Sequence, residues 1–202
     1  YLWLPGGETT ESITVTEPGA YTLIVTSNTV ITSCPAQVEI VVRPVAPPDI
    51  ISLAAFDWTE NNNGFTVNIN NPELYEYSLD NIVFQESNTF SGLLTGIYTV
   101  YVRDRQQCGV VQDKIALLYY PKYFTPNGDG TNETWRIEYS WFETGMITFV
   151  YDRFGKLITS LLPNGEGWDG TLNGYRLPAT DYWFVVNRED GRVFKGHFSL
   201  IR

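Results

Sequence analysis

Histidine, cysteine and methionine are nearly missing from this sequence: one His, two Cys and one Met in 202 residues. One imidazole and two dispersed cysteines cannot assemble a structural zinc ligand set. Cys34 and Cys108 stand 74 positions apart, and a bridge between them would need α-carbons within about 7 Å. The plainer expectation is two small buried thiols. Long apolar runs are missing too. The longest, Ile115 to Tyr120, falls far short of the ~20 residues of a spanning helix, so no transmembrane helix is expected. Charged residues make up only 18% of the chain, below the usual quarter, and helical periodicity is almost absent.

Basic residues are scarce in the leading part. Residues 1–119 carry 13 acids and 4 bases, whereas residues 120–202 carry 10 and 9. So acidic a leading part disfavours nucleic acid, whose phosphates need Lys and Arg to displace counterions. No charged-then-apolar leader follows Tyr1, and a chain opening without Met reads as part of something longer. Catalytic signatures are lacking as well. The single His197 lies between Gly196 and Phe198, which suggests structural or interface placement. No serine sits in a nucleophile-elbow sequence. The 23 acids always offer some carboxylate pair, but no motif singles one out. No enzyme is expected.

What is abundant is aromatic: 13 Tyr, 11 Phe and 6 Trp, joined by Thr, Val and Ile. That is the composition of half-buried pleated surfaces. Apolar residues alternate or run in short blocks between Gly, Pro, Asn and Asp clusters, the pattern of strands and turns. A weak repeat recurs. Gly19-Ala20-Tyr21-Thr22 resembles Gly96-Ile97-Tyr98-Thr99, and Asp181-Tyr182-Trp183-Phe184 echoes both. The offsets between the tyrosines, 77 and 84 residues, suit tandem sandwich modules. We therefore expect an all-β chain of tandem immunoglobulin-like β-sandwich modules.

Three modules are expected. Residues 1–47 form a partial sandwich, the tail of an upstream repeat, with strands near Ser12–Val15, Ala20–Thr26, Val30–Thr32 and Ala36–Arg43. Pro44-Val45-Ala46-Pro47-Pro48 is a stiff linker. Residues 49–118 form the second, with strands at Ile51–Trp58, Gly64–Asn70, Leu74–Leu79, Ile82–Glu86, Ile97–Arg103 and Val110–Leu117. Here Tyr75, Tyr77 and Tyr98 are striped at strand spacing. They suit cross-strand packing or, alternatively, the platform of a carbohydrate-binding module in a secreted polysaccharide-processing protein. Residues 119–202 form the third, with strands at Thr134–Tyr139, Met146–Tyr151 and Lys156–Leu161 and a terminal hairpin, Asp181–Asn187 with Arg192–Leu200.

One loop invites an ion. In Thr125-Pro126-Asn127-Gly128-Asp129-Gly130-Thr131-Asn132-Glu133, oxygen ligands fall on alternate residues, with a glycine for the sharp turn, as in a calcium loop. Asn127, Asp129, Thr131 and Glu133 are the candidate ligands. The first position lacks a carboxylate, and Arg136 stands where a bidentate Glu belongs. The other reading is a run of Asx turns capped by its own side chains.

Four ordered blocks in the last 83 residues carry a resemblance: YPKYFTPNGDGTNETW, VYDRFGKLI, GWDGTLNGYRLPATDYWFVV and FKGHFSLIR. Together they resemble the type B C-terminal sorting domain of the type IX secretion system, also called the gliding-motility-associated C-terminal domain, of Bacteroidetes surface proteins. Phe154 departs from it, since tryptophan is more usual there. The middle module, with DWTENNNGFTVNI, YEYSLDNIVFQ and GIYTVYVRDRQQCG, looks like the adhesin repeat that commonly precedes this domain. The resemblance implies a folded secretion signal, a type IX translocon, an outer-membrane β-barrel partner of the gliding-motility type, and an outer-membrane-associated place on the cell surface. It implies docking on the terminal hairpin by strand addition or by barrel loops. On that basis Arg188, Arg192, Lys195, Phe198 and Arg202 are the expected partner-binding residues.

Overall fold

The computed structural model describes residues 1–27, 35–43, 47–59, 62–105 and 109–202. Cys34, Cys108, the expected strand Val30–Thr32 and most of the proline linker lie outside the described residues. The fold is all-β, built from several sheets. The chain divides into two compact units, Tyr1–Pro47 and Pro48–Arg202.

In the first unit, β1 (Leu2–Leu4), β2 (Gly19–Val25) and β3 (Ala36–Val42) form one antiparallel sheet with β2 in the middle. Trp3 is its buried anchor, its indole N–H donating to the Thr10 carbonyl at 3.0 Å. Ser12–Val15 is not a strand.

The second unit holds two cores. One lies within two three-stranded sheets. The first has β5 (Asn63–Ile69) between β4 (Ile50–Phe56) and β7 (Thr89–Leu93). The second has β8 (Gly96–Asp104) between β6 (Tyr75–Ser78) and β9 (Val110–Leu117). Phe65, Val67, Tyr77, Phe90, Val100, Val102 and Leu117 converge between them, burial that drives the two sheets together. Ile82–Glu86 is not a strand. The Asp80 carboxylate accepts the N–H groups of Ile82 and Val83, each at 2.8 Å, and this Asx capping turns the chain, leaving only an isolated bridge between Gln85 and Tyr77. The third strand of the first sheet comes instead from Thr89–Leu93.

The other core belongs to a five-stranded sheet in the order β10 (Tyr123–Phe124), β16 (Val193–Leu200), β15 (Asp181–Asn187), β11 (Ile147–Tyr151), β12 (Leu157–Leu161). A small ribbon of β13 (Thr171–Leu172) and β14 (Tyr175–Arg176) accompanies it. Asn173 and Gly174 both have positive φ, the turn that a two-residue hairpin requires. Along β16, Phe194, Gly196, Phe198 and Leu200 turn inward. Trp135 stacks on Phe198 with centroids 3.7 Å apart and planes 8° from parallel. Gly196 is forced by contact, because a Cβ there would sit 2.6 Å from the Phe184 ring. Thr134–Tyr139 is not a strand. It makes two isolated bridges to different partners, Trp135 to Trp168 and Glu138 to Tyr119, while Trp135 plunges into the core.

The repeated tyrosines share one device. Tyr21, Tyr98 and Tyr182 each donate their hydroxyl to the carbonyl four residues upstream, of Glu17, Leu94 and Pro178, at 2.8, 2.9 and 2.9 Å. This is a tyrosine corner, which pins the loop entering a late strand of a sandwich. Tyr77 is fully buried, and burial, then the neighbouring Tyr75 and Glu73, push its hydroxyl up to about 12. Of the stripe, Tyr77 is buried in the core between the two three-stranded sheets, and Tyr75 and Tyr98 pack against it half-buried.

Two substitutions measure these contacts. Phe198→Ala is expected to cost about 3–5 kcal/mol, as for other buried Phe truncations. Tyr182→Phe is expected to cost about 0.5–1.5 kcal/mol, the net worth of one hydrogen bond. Both are read from urea unfolding midpoints at unchanged slope.

Candidate functional site

The terminal hairpin places the five expected partner-binding residues in different environments. Phe198 is fully buried in the core, so it cannot face a partner in this fold. Arg188 is also buried, with its side chain only 3% exposed. Its Nε donates to both oxygens of Glu143 at 3.0 Å, and its Nη1 is ion-paired with Asp57. Burial opposes the charge, but the Glu143 and Asp57 carboxylates more than offset this and hold the guanidinium above its ordinary value. Arg202 donates to the carbonyls of Leu177 and Gly170, tying the end of the chain to the β13–β14 region. Arg192 is half-exposed and bonded to Asp190 at 2.6 Å. Of the five, Lys195 alone stands on the surface with neither an ion pair nor a side-chain hydrogen bond among the described residues.

The terminal strand is not a simple sheet edge. Its last residues are flanked on one side by β15 and on the other by β10, which pairs in parallel with Ser199 and Leu200. The Leu200 N–H goes to Thr180 on the β15 side, and the Ser199 N–H goes to Lys122 on the other. By the alternation of an antiparallel ladder, Val193, Lys195 and His197 turn their backbone groups to the second side, where no described strand pairs with them. An open edge remains along Val193–His197.

What sequence reasoning missed is the face beside that edge. Cross-strand pairing aligns His197, Trp183 and Tyr151 in one row and Lys195, Val185 and Phe149 in the next. Ile147, Asn187 and Val193 follow in a third. All lie opposite the inward-facing Phe184, Val186, Val150 and Phe198. Trp183, Ile147, Val193 and Tyr123 are exposed. A solvated sheet face is normally polar, whereas this one holds few charges, and broad apolar patches mark interaction sites. The signal was in the sequence: in DYWFVVN both alternating sets of β15 are rich in apolar residues.

The loop at 125–133 is a chain of Asx turns. Asp129 accepts the Thr131 N–H at 2.7 Å and the Asn127 side-chain amide at 2.9 Å. Asn127 accepts the Asp129 N–H, and Glu133 the Gly130 N–H, each at 3.0 Å. Among the described residues no three His, Cys, Asp or Glu side chains gather as a metal site. The loop forms the run of Asx turns, in which Thr131 contributes its N–H.

Residues 118–200 match the family model of the CHU_C type IX secretion signal domain. The matched stretch runs from the end of β9 to the end of β16. No curated protein matches the chain. Among solved structures it is similar to the BSP domain of a biofilm-associated protein, with 11% identity and a TM-score of 0.28 over 76% of this chain. The chain spans 29% of that structure's length. Among the described residues, no helix is long and apolar enough to cross a membrane, which says nothing of a β-barrel.

The Asn127 amide, then the Thr131 N–H, lower the Asp129 carboxyl below its ordinary value. A depressed carboxylate stabilises the loop above its unfolded value of roughly 3.9 and loses that contribution as pH falls through the folded one. NMR titration of Asp129 is expected to show a midpoint below the ordinary value. Asn127→Ala is expected to return it upward.

Proposed function

We propose that the segment from Leu118 onward is a folded delivery signal that takes a longer chain through the type IX secretion system. A type IX secretion signal domain implies export out of the cell, and the match over residues 118–200 is the observation that carries this reading. In our reading the domain, once exported, is held at the outer membrane by a β-barrel partner of the gliding-motility type. The upstream modules, including an adhesin repeat over residues 49–118, are its cargo on the cell surface. The chain does no catalysis; its work is to be recognised and displayed.

The surface best suited to that recognition is the apolar outer face of β11, β15 and β16, bordered by the open edge at Val193–His197. Trp183 and Tyr151 provide large, stiff contact area, while Lys195 and His197 provide polar anchors beside it. An extended partner segment can add to the edge through backbone hydrogen bonds, with side-chain contacts on the face setting the choice of partner.

Removing Gly191–Arg202 deletes the strand that holds Phe198, so it tests folding as much as targeting. A surface variant separates the two. Trp183→Thr, Lys195→Glu and His197→Thr combined put β-branched threonine at two of the three positions and leave the buried face intact. Their unfolding free energy is expected to stay within about 1–2 kcal/mol of the parent, at roughly 0.5 kcal/mol for each surface change. Surface labelling of intact cells is expected to show a loss of displayed protein. Full display of the folded variant would remove this face from the account.

A further inference from the structure

The matched domain begins at Leu118, yet its core is completed by residues 60 positions earlier in the chain. Asp57 and Trp58 directly follow β4. The Asp57 side chain is wholly buried and carries three contacts. One oxygen accepts the Leu118 N–H at 3.0 Å. The other pairs with Arg188 and lies 3.8 Å from Arg192. Trp58 belongs to the hydrophobic cluster of the C-terminal sheet, not to that of its own sandwich. Its ring meets Phe194 edge-on with centroids 4.1 Å apart and Tyr120 at 6.2 Å, and the Arg188 guanidinium lies 5.4 Å from it.

These contacts are costly to hold. Trp58 has a φ of 63°, a left-handed conformation that is uncommon for a bulky side chain. A guanidinium 3% exposed is tolerable only because both carboxylates answer it, and losing one partner leaves a buried charge uncompensated. The backbone offers little slack between the modules. β9 ends at Leu117, and Tyr119 is already bridged to Glu138. The two modules are therefore tied by chain, by ion pairs and by an inserted ring.

We propose that Asp57 and Trp58 are positioning residues of the delivery unit, locking residues 48–117 and 118–202 into one rigid body that fixes the direction in which the cargo leaves the docked domain. This rests on the reading of residues 118–200 as the delivery signal. Its functional corollary is that the working unit begins at β4, upstream of the matched stretch.

The test uses the whole chain. With Cys34 and Cys108 changed to Ser, spin labels go on Leu94→Cys and Phe154→Cys, both at least 80% exposed and one in each module. Pulsed dipolar spectroscopy is expected to give one narrow distance distribution. Trp58→Ala is expected to broaden it. Arg188→Met with Asp57→Asn and Glu143→Gln removes the charges together, so that no buried charge is left alone. The amide introduced at position 57 keeps an oxygen for the Leu118 N–H, and this variant too is expected to broaden the distribution while both cores stay folded. A distribution already broad in the parent chain, or one equally narrow in both folded variants, would overturn the proposal. The distance measurement does not involve export. A narrow distribution together with export that ignores residues 118–200 would therefore count against the delivery reading and leave the joint standing.

Discussion

A buried positive charge must be answered, and in this protein the answer to Arg188 organises the second unit. Its two carboxylate partners come from opposite directions: Glu143 from just before β11, and Asp57 from the end of β4, 131 residues away in sequence. Meeting both requires that the C-terminal sheet and the preceding sandwich sit against each other. Such pairs add little net stability beyond an apolar substitute, but they discriminate sharply against arrangements that leave a partner unpaired. The surrounding rings, Trp58, Tyr120, Phe184 and Phe194, keep water away and make that discrimination stronger.

Around this joint the rest is ordinary sandwich physics. Inward residues of β15 and β16 build an aromatic core on Trp135, and tyrosine corners pin the loops that enter the late strands. The outer face of the same sheet departs from the ordinary pattern by staying apolar. That combination, a rigid well-packed inner face and an apolar outer one, suits a domain whose task is to present a surface.

Much of the architecture was legible in the sequence, because it was written in local chemistry. The tyrosine repeat at residues 21, 98 and 182 marked equivalent corners, and the hairpin expected at Asp181–Asn187 with Arg192–Leu200 was marked by its Glu189-Asp190-Gly191 turn. Phe198 was misplaced although the period of two was available: it shares a face with Phe194 and Leu200, not with Lys195. Arg188 was not legible, since a hairpin arginine reads as solvated unless its distant partners are known. β10, two residues long, and the bridges of Trp135 exist through tertiary contact alone and leave no periodic trace. In the 125–133 loop the residue types suited both ion ligands and Asx turns, and the hydrogen bonds observed there are Asx turns.

The central claim is that the outer face of β15 and β16 is what a receiving barrel holds. In-cell photo-crosslinking reads this most directly, with a photoreactive amino acid placed at Trp183, at Lys195 or, as a control, at exposed Leu94 on the preceding module. The account predicts one outer-membrane β-barrel protein captured from positions 183 and 195 and not from 94. Equal capture from all three positions, or capture from 94 alone, would contradict it.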